Sequence, residues 1–316
     1  MKQDHRNALR ERFGGLVRFD VELARFTTYR IGGPAAAVVE PSAAAEVSTA
    51  LKIAAAMDVP WMVLGFGSNV LLPDAGFDGI VLRMGKGMAG VQREGPEETV
   101  WTIGAGLPIP LLARRTAAAG LRGANRLIGV PGTVGGGVFM NAGAHGQEFR
   151  DIVDWVEVVA PDGVVSRVEG DAIPWQYRSS GLQSVVVAAQ LSLEPEDPRV
   201  LKRELRDHLR WRKSGTPFDQ PCCGSVFRNP SKEDLRSATA HVGERCTAGR
   251  LVDSAGLKGY RIGGAEVSPM HANYIVNKGG ATAADVRAVI DHVRTTVRDR
   301  FGIELRLEVK IVEPSS

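Results

Sequence analysis

The chain has little of several features that would point to particular classes of protein. It holds only three cysteines, Cys222, Cys223 and Cys246, and no C-x-x-C pair, which argues against a disulfide framework and a zinc site. No apolar run approaches the roughly 18–20 residues of a membrane helix, and the first 15 residues lack the apolar core of a secretory signal. The net charge of +3 is too small to indicate nucleic-acid binding. We therefore expect a cytoplasmic protein with no metal, no nucleic-acid partner and no membrane contact.

Glycine is the residue that the chain has in excess. There are 37 glycines among 316 residues, whereas an average protein has about 7%. The hydrophobic share of 44% and the charged share of 24% are typical of a globular protein. At roughly 100–200 residues per domain, the length predicts about two domains. The glycines show no collagen-like period, so they indicate tight turns and backbone that lies close to something else.

Local patterns predict a mixture of helices and strands. Ser42 is the expected N-cap of an alanine-rich helix over residues 43–57. Thr282 and Asp285 form a capping box for a helix that Gly302 ends. Residues 303–311 alternate apolar and charged side chains and are predicted as a strand. The other predicted strands cover residues 61–64, 79–83, 100–103, 153–160, 164–168 and 184–193, and the other predicted helices cover residues 108–119, 199–213 and 247–254.

Two turns and one charged helix complete this local interpretation. Asp162 and Gly163 predict a hairpin turn between two strands. The proline-bounded segment 195–198 resembles a linker, and we place a domain boundary there. The helix over residues 199–213 is rich in charge, and we interpret its charges as a solvent-exposed face.

Two glycine-rich segments are the first indication of a ligand. Residues 65–69, GFGSN, follow a predicted strand, and residues 129–146 contain seven glycines without a regular period. Small residues allow several backbone N–H groups to reach a pyrophosphate. The first segment is not the dinucleotide fingerprint G-x-G-x-x-G, since Val70 occupies the third glycine position, and the chain has no P-loop. A long irregular segment in a compact domain usually lines a ligand.

The order of these motifs resembles the UDP-N-acetylenolpyruvoylglucosamine reductase family. The resemblance extends over roughly residues 20 to 312, nearly the whole chain. Single glycine motifs are weak signals, whereas many motifs in one order are a strong one. The matching segments are TYRIGGPA at 28–35, GFGSN at 65–69, PGTVGG at 131–136, MNAGA at 140–144, YRSS at 177–180, GSVFRNP at 224–230, AGLKG at 255–259, HANYIVN at 271–277 and LEV at 307–309.

The resemblance implies an α+β fold with three parts. Residues 1–197 would form an FAD-binding domain of the vanillyl-alcohol-oxidase (PCMH) type, with subdomains at about 1–83 and 84–197. Residues 198–302 would form a smaller α+β substrate-binding domain, and residues 303–316 a C-terminal strand that carries Glu308. The family's longer subclass has a tyrosine-bearing insertion before the substrate domain. This chain passes from residue 193 to the helix at 199 without it and resembles the shorter subclass.

The resemblance also implies a reaction of peptidoglycan synthesis. NADPH would reduce FAD, and the flavin would reduce the enolpyruvyl ether of a UDP-sugar to a lactyl ether. Some flavin oxidases of the same superfamily tether FAD through a histidine in the first glycine segment, which holds none here. We therefore expect non-covalent FAD, with NADPH and the UDP-sugar as small-molecule partners, in a monomer.

Residue roles follow from the same resemblance. Arg178 matches the cation that stabilises the developing enolate, Glu308 its polar partner, and Ser225 the proton donor to C2. The implied substrate-binding residues are Tyr177, Asn229, Lys258, His271 and Asn273. The implied cofactor-binding residues are Arg30, Gly65, Gly67, Ser68, Asn69, Pro131, Gly132, Thr133, Gly135, Asn141, Gly143 and Ala144.

Other interpretations of these residues stand beside these roles. Taken alone, Arg178 is an ion-pairing arginine, Ser225 a small loop residue and Glu308 a solvated carboxylate. Cys222 and Cys223 are interpreted as reduced thiols without a catalytic or metal-binding role. Lys310 and His145 depart from the residues usual in the family. An alternative function is a flavin oxidase with another substrate, and a third is a nucleotide-binding module without catalysis.

Overall fold

The structure is a computed structural model that describes residues 1–95, 98–238 and 246–314. Its helices are numbered α1 to α8 and its strands β1 to β18 in chain order. Among the described residues, no helix combines the length and the apolar character needed to cross a membrane.

The first sheet is built from the N-terminal quarter of the chain. It contains β1 (Val17–Glu22), β2 (Pro34–Val39), β3 (Trp61–Leu64) and β5 (Phe77–Arg83) in the order β1-β2-β5-β3, and β4 (Val70–Leu71) lies outside it. β1 is antiparallel to β2, whereas β2 and β3 are parallel to β5. Helices α1 (Gln3–Phe13) and α2 (Ala44–Ala56) cover one face with apolar side chains that include Leu9 and Leu51.

The second sheet follows in the chain and is antiparallel throughout. It contains β6 (Val91–Glu94), β7 (Val100–Gly104), β11 (Val153–Val159), β12 (Val165–Glu169) and β13 (Val185–Ser192) in the order β12-β11-β13-β7-β6. Helices α3 (Ile109–Ala118) and α4 (Val134–Phe139) contribute Leu112 and Val138 to its core around Trp101. Short strands connect these elements: β8 (Leu121–Arg122), β9 (Gly143–Ala144), β10 (Gln147–Glu148) and β14 (Glu194–Pro195).

The C-terminal third forms a third unit around one long helix. α8 (Ala283–Phe301) directs Val286, Val289, Ile290, Val293 and Val297 into a single apolar core, a spacing that repeats one helix face. Asp285 N donates to Thr282 Oγ1 at 3.0 Å and Gly302 is left-handed, so the predicted cap and stop are confirmed. The other elements of this unit are α6 (Lys232–Arg236), α7 (Ala248–Ser254), β15 (Arg261–Ile262), β16 (Ala265–Val267), β17 (Ile275–Asn277) and β18 (Lys310–Ile311).

Helix α5 (Pro198–Gly215) opens the part of the chain that the sequence assigns to the substrate domain. In the structure it lies against the second-sheet unit, where Asn125 Nδ2 donates to Glu204 Oε2 at 2.8 Å. Arg122 on β8 forms an ion pair of 2.6 Å with Glu196, just before the helix. The sequence-based boundary near residue 197 remains a prediction.

Three contacts join the C-terminal unit to the first sheet unit: a buried tyrosine, a helix cap and a strand pairing. Tyr29 is buried within the C-terminal core, where its hydroxyl donates to Ile275 O at 2.8 Å. Asp74 accepts the first backbone N–H groups of α8, from Ala283 at 2.8 Å and Ala284 at 3.1 Å. β18 pairs in parallel with β4, which follows the first glycine segment. The end of the chain is thereby held beside residues 65–69.

The structure corrects three local predictions. The N-cap of α2 is Ala43 rather than Ser42, whose backbone N–H instead donates to Glu46 Oε2 at 2.6 Å. The segment 129–146 is not wholly irregular, because Val134–Phe139 forms α4. Residues 303–311 keep the alternation of buried and exposed side chains as far as Arg306, but only Lys310–Ile311 pair as a regular strand. Elements α1, β1 and β2 had no counterpart among the predictions.

Candidate active site

A cavity of about 510 Å³ lies where the three units meet. Residues 65–69 form one wall, and the second glycine segment, from Val130 to Gly143, contributes another. The C-terminal unit adds Ser225, His271 and Glu308. The cavity therefore collects side chains that are far apart in sequence, as ligand sites between domains commonly do.

The first glycine segment turns sharply as it leaves β3. Gly67 has φ +59°, and a methyl group on its Cα would lie 2.5 Å from the carbonyl oxygen of Phe26, so no larger residue fits. Within the described chain, the backbone N–H groups of residues 65–69 have no acceptor. A run of free N–H groups around a tight turn is suited to an anion such as a pyrophosphate.

The second glycine segment faces the first at close range. Ser68 Oγ donates to Pro131 O at 2.9 Å. A methyl group on Gly65 would lie 2.5 Å from Thr133 Oγ1, and that hydroxyl has no partner within the described residues. A second cavity of about 280 Å³ shares Gly65, Thr133 and Gly136 with the first. Two adjoining cavities, with free backbone N–H groups along residues 65–69 and the apolar side chain of Phe139 in both walls, fit the long, flat and anionic FAD that the resemblance implies.

Arg178 and Glu308 meet in the wall of the cavity. Arg178 Nε donates to Glu308 Oε1 at 3.1 Å, and the two side chains are only 21% and 18% exposed. Burial raises the pKa of the Glu308 carboxyl above its usual value, while Arg178 offsets part of that increase. Arg178 has φ +59°, a strained conformation for a side-chain-bearing residue that concentrates at functional sites.

Ser225 is presented by a segment that Asn273 holds. Asn273 Oδ1 accepts from Phe227 N at 2.9 Å, and Asn273 Nδ2 donates to Phe227 O at 2.8 Å. Val226 N also donates to Asn273 O at 2.9 Å. Ser225 lines the cavity, and its hydroxyl has no partner in the described part of the chain. Asn273 thus positions the serine, and the hydroxyl is free to meet a ligand.

The remaining predicted substrate residues divide into two groups. Tyr177, Asn229 and His271 line the cavity together with Asn273. Burial, and then the nearby Arg212, lower the pKa of the His271 imidazole. Lys258 does not line the cavity, and its Nζ forms an ion pair of 2.8 Å with Asp253. Proximity to the cavity therefore supports four of the five residues.

Eight of the twelve predicted cofactor residues line the cavity: Gly65, Gly67, Ser68, Asn69, Pro131, Gly132, Thr133 and Gly143. Gly135 lines the second cavity instead, and Arg30 and Ala144 line neither. Asn141 is fully buried and lines neither cavity. Its Nδ2 donates to Glu148 Oε2 at 3.0 Å and to Gln176 O at 3.1 Å. Its contacts are with the scaffold that precedes Arg178.

Arg212 is a cavity residue that the sequence interpretation missed. It lies in α5, whose charges had been interpreted as a solvent-exposed face, yet its side chain lines the cavity. Its stem packs on Gly129, where a methyl group would lie 3.1 Å from Arg212 Cγ. Its buried Nε has no acceptor among the described residues, and Nη2 lies 3.4 Å from the hydroxyl of Tyr274. The only signal in the sequence was the exposed-helix pattern itself, which does not separate one arginine from its neighbours.

The adjacent thiols are not placed for chemistry. Cys222 and Cys223 are free cysteines, and burial raises the pKa of both thiols, most strongly at Cys223. A thiol with a raised pKa stays protonated and is a poor nucleophile.

Comparisons with known proteins agree with this site. The family model for the C-terminal domain of UDP-N-acetylenolpyruvoylglucosamine reductase matches residues 216–312, and an FAD binding domain model matches residues 35–169. The reductase of Bacillus subtilis (strain 168) is 39% identical over 308 residues, which cover 96% of each chain. That of Rubrobacter xylanophilus is 41% identical over 299 residues, covering 93% of this chain and 95% of the relative.

A solved structure shows the same architecture. The crystal structure of UDP-N-acetylenolpyruvylglucosamine reductase from Thermus caldophilus matches with a TM-score of 0.78 at 32% identity, over 94% of this chain and 100% of that one. The predicted α+β fold with an FAD-binding domain of the vanillyl-alcohol-oxidase (PCMH) type is confirmed.

Proposed function

Because the chain belongs to the UDP-N-acetylenolpyruvoylglucosamine reductase family of FAD-dependent oxidoreductases, we propose that it reduces UDP-N-acetylglucosamine enolpyruvate to UDP-N-acetylmuramate. The reductant would be NADPH, and the enzyme would work as a cytoplasmic monomer in cell-wall synthesis. The observation that carries the proposal is the placement of Arg178, Glu308 and the unpartnered Ser225 hydroxyl around one cavity beside two glycine segments.

The cofactor would be held by the two glycine segments. The free N–H groups of residues 65–69 suit its pyrophosphate, and Gly132 and Thr133, which line the same cavity, would also help to hold it. Bound FAD would supply the hydride, taken from NADPH, that adds to C3 of the enolpyruvyl group. Since residues 65–69 contain no histidine, the cofactor would be bound without a covalent tether, and acid precipitation would release it to the supernatant.

Arg178 would stabilise the charge that hydride addition creates. When C3 gains a hydride, negative charge develops at C2 and spreads onto the substrate carboxylate. A guanidinium fixed beside that position lowers the energy of the transition state more than that of the substrate. Arg178 suits a carboxylate because its N–H groups form a rigid planar fork, and Glu308 fixes the orientation of that fork at 3.1 Å.

Ser225 would complete the reduction by donating its proton to C2. A hydroxyl is a weak acid, but a carbanion stabilised only by Arg178 is a strong base, so the transfer is favourable. The C2–C3 double bond has then become a single bond, with the hydride on C3 and the proton on C2, and water returns a proton to the serine alkoxide. Tyr177, Asn229, His271 and Arg212 line the same cavity and would hold the UDP-sugar, with the Arg212 cation suited to its diphosphate.

The decisive experiment separates the two half-reactions. The purified yellow protein is reduced anaerobically with NADPH, and the enolpyruvyl UDP-sugar is then added while flavin absorbance is followed. We expect reoxidation coupled to formation of the lactyl ether. If the reduced flavin is not reoxidised by the UDP-sugar but is rapidly reoxidised by oxygen, the oxidase alternative would be favoured instead.

A further inference from the structure

Arg178 has a second carboxylate neighbour that neither the sequence patterns nor the resemblance identifies. Glu148 Oε1 lies 3.6 Å from Arg178 Nη1, whereas Glu308 contacts a different nitrogen, Nε. Arg178 Nη2 also approaches Gly143 O at 3.4 Å. The guanidinium is therefore bounded by two carboxylates and a carbonyl, which leaves the remaining N–H groups for a ligand.

Glu148 is itself fixed before any ligand binds. Its Oε2 accepts from Asn141 Nδ2 at 3.0 Å and lies 3.1 Å from Arg150 Nε. Asn141 is fully buried, and its amide also donates to Gln176 O at 3.1 Å, two residues before Arg178. The Asn141 amide thus fixes the Glu148 carboxylate relative to the backbone at Gln176, two residues before Arg178.

The carboxylate of Glu148 is linked to the cavity through Arg178, whereas its backbone pairs with the cavity residue Gly143. Among the described residues Glu148 is not part of the cavity wall, and its side chain is 21% exposed. A long arginine side chain in a strained backbone conformation has many alternative rotamers, and each contact that fixes it reduces the entropy lost when the substrate binds. We propose that Glu148, oriented by Asn141, is a positioning residue that holds the Arg178 guanidinium in the geometry needed to stabilise the developing enolate. This inference rests on the proposed function.

Glu148→Gln tests the proposal with little change in shape. Two donors, Asn141 Nδ2 and Arg150 Nε, face Oε2, so the single oxygen of glutamine would turn towards them. Its NH2 group would then oppose Arg178 Nη1, donor against donor, and Arg178 would leave its position. Glu148→Asp keeps both acceptors at the cost of one methylene group. The matched control is Glu169→Gln, which removes the same charge from an exposed ion pair of 2.8 Å with Arg167.

The measurement is stopped-flow absorbance of the flavin in each half-reaction over a range of ligand concentrations. For Glu148→Gln we expect the limiting rate of reoxidation by the enolpyruvyl UDP-sugar to fall about 10- to 100-fold, the loss that a displacement near 1 Å produces. Reduction by NADPH and the half-saturating substrate concentration should stay within about threefold of the wild type, because cofactor contacts and the Arg178 charge remain. Glu148→Asp should recover part of the rate, and Glu169→Gln should match the wild type.

Two results would overturn the proposal. One is a Glu148→Gln variant with the wild-type reoxidation rate. The other is an equal loss in both half-reactions together with loss of flavin, which would make Glu148 a structural residue. If the wild type itself is not reoxidised by the UDP-sugar, the proposed function fails instead. A crystal structure of Glu148→Gln then decides the positioning role alone, since an unmoved Arg178 guanidinium refutes it.

Discussion

The side-chain amide of Asn69 donates a hydrogen bond to the backbone carbonyl of Glu308 at 3.2 Å. Lys310 N returns a bond of 3.0 Å to Asn69 O. The first glycine segment and the carboxylate that holds Arg178 are therefore parts of one rigid arrangement. A displacement of residues 65–69 is therefore transmitted to the backbone of Glu308 through these two hydrogen bonds.

Ser225→Ala should separate the two half-reactions. Reduction by NADPH is expected to be unchanged, because the hydroxyl takes no part in it. Reoxidation by the UDP-sugar should slow by about 10²–10⁴-fold, the usual worth of general acid catalysis. Ser225→Cys should restore part of the rate, since a thiol can still donate a proton. Stopped-flow traces with equal reoxidation in wild type and Ser225→Ala would show that the serine is only a small turn residue.

The reoxidation rate should depend on the ionisation of Glu308. Its pKa is raised by burial, so the carboxyl takes up a proton at a higher pH than an ordinary glutamic acid, whose pKa is about 4.3. As pH falls through that raised pKa, the ion pair with Arg178 is lost and the rate should fall. The pH profile of the limiting reoxidation rate should therefore have an acid limb that Glu308→Gln abolishes, leaving a slow, flat profile.

A nearby carboxylate provides the control for that profile. Glu304 lies on the same segment, is exposed, and pairs with Arg294 at 2.5 Å. Glu304→Gln should keep the acid limb of the wild type. If Glu308→Gln also kept it, the limb would belong to another group.

Gly67→Ala should weaken FAD binding more than its backbone strain alone would explain. The added methyl group would meet Phe26 O at 2.5 Å and Thr27 Cα at 2.8 Å, which must widen the turn that presents the free N–H groups. Gly280→Ala, outside both glycine segments, is the matched control: its φ is +67°, and the methyl group would meet nothing within 4 Å. Both variants carry the left-handed strain of about 1–2 kcal/mol, but only Gly67→Ala should raise the FAD dissociation constant, by about tenfold or more. Flavin fluorescence on dilution measures it, and equal constants would refute a cofactor role for this turn.

Arg212→Ala and Lys258→Ala should differ in their effect on substrate affinity. Arg212 lines the cavity with an unpartnered Nε, and loss of a charged donor of this kind costs about 1.5–3 kcal/mol. We expect KM for the UDP-sugar to rise about 10- to 100-fold. Lys258 is paired with Asp253 outside the cavity wall, so its alanine variant should change KM little. A large effect at Lys258 alone would support the residue assignment taken from the resemblance instead.

The elements that the sequence predicted best are those whose signals are local. The capping box at Thr282 and the stop at Gly302 bound α8 correctly, because both act within one helical turn. The alternation in residues 303–311 predicted which side chains are buried as far as Arg306, yet regular pairing is confined to Lys310–Ile311. Pairing requires a partner strand, and β4 is too short for more than two residues.

The features that the sequence did not predict depend on contacts between distant segments. Arg212 lines the cavity because Gly129 leaves room for its stem, and no pattern within α5 reports that. Glu148 owes its position to Asn141 and Arg150, and a carboxylate in a glycine-rich hairpin is otherwise an ordinary surface residue. Asn141 matched a cofactor motif, but its side chain is used for the scaffold behind Arg178.

The pairing of β18 with β4 has a consequence for how the protein is made. Lys310 lies opposite Val70, and ribosomes add about 5–20 residues per second, with N-terminal parts folding first. The first glycine segment is therefore translated on the order of tens of seconds before the strand that anchors Glu308 beside it. During that interval the first glycine segment lacks the two hydrogen bonds that later join Asn69 to Glu308 and Lys310. The ion pair between Arg178 and Glu308 therefore forms late in synthesis.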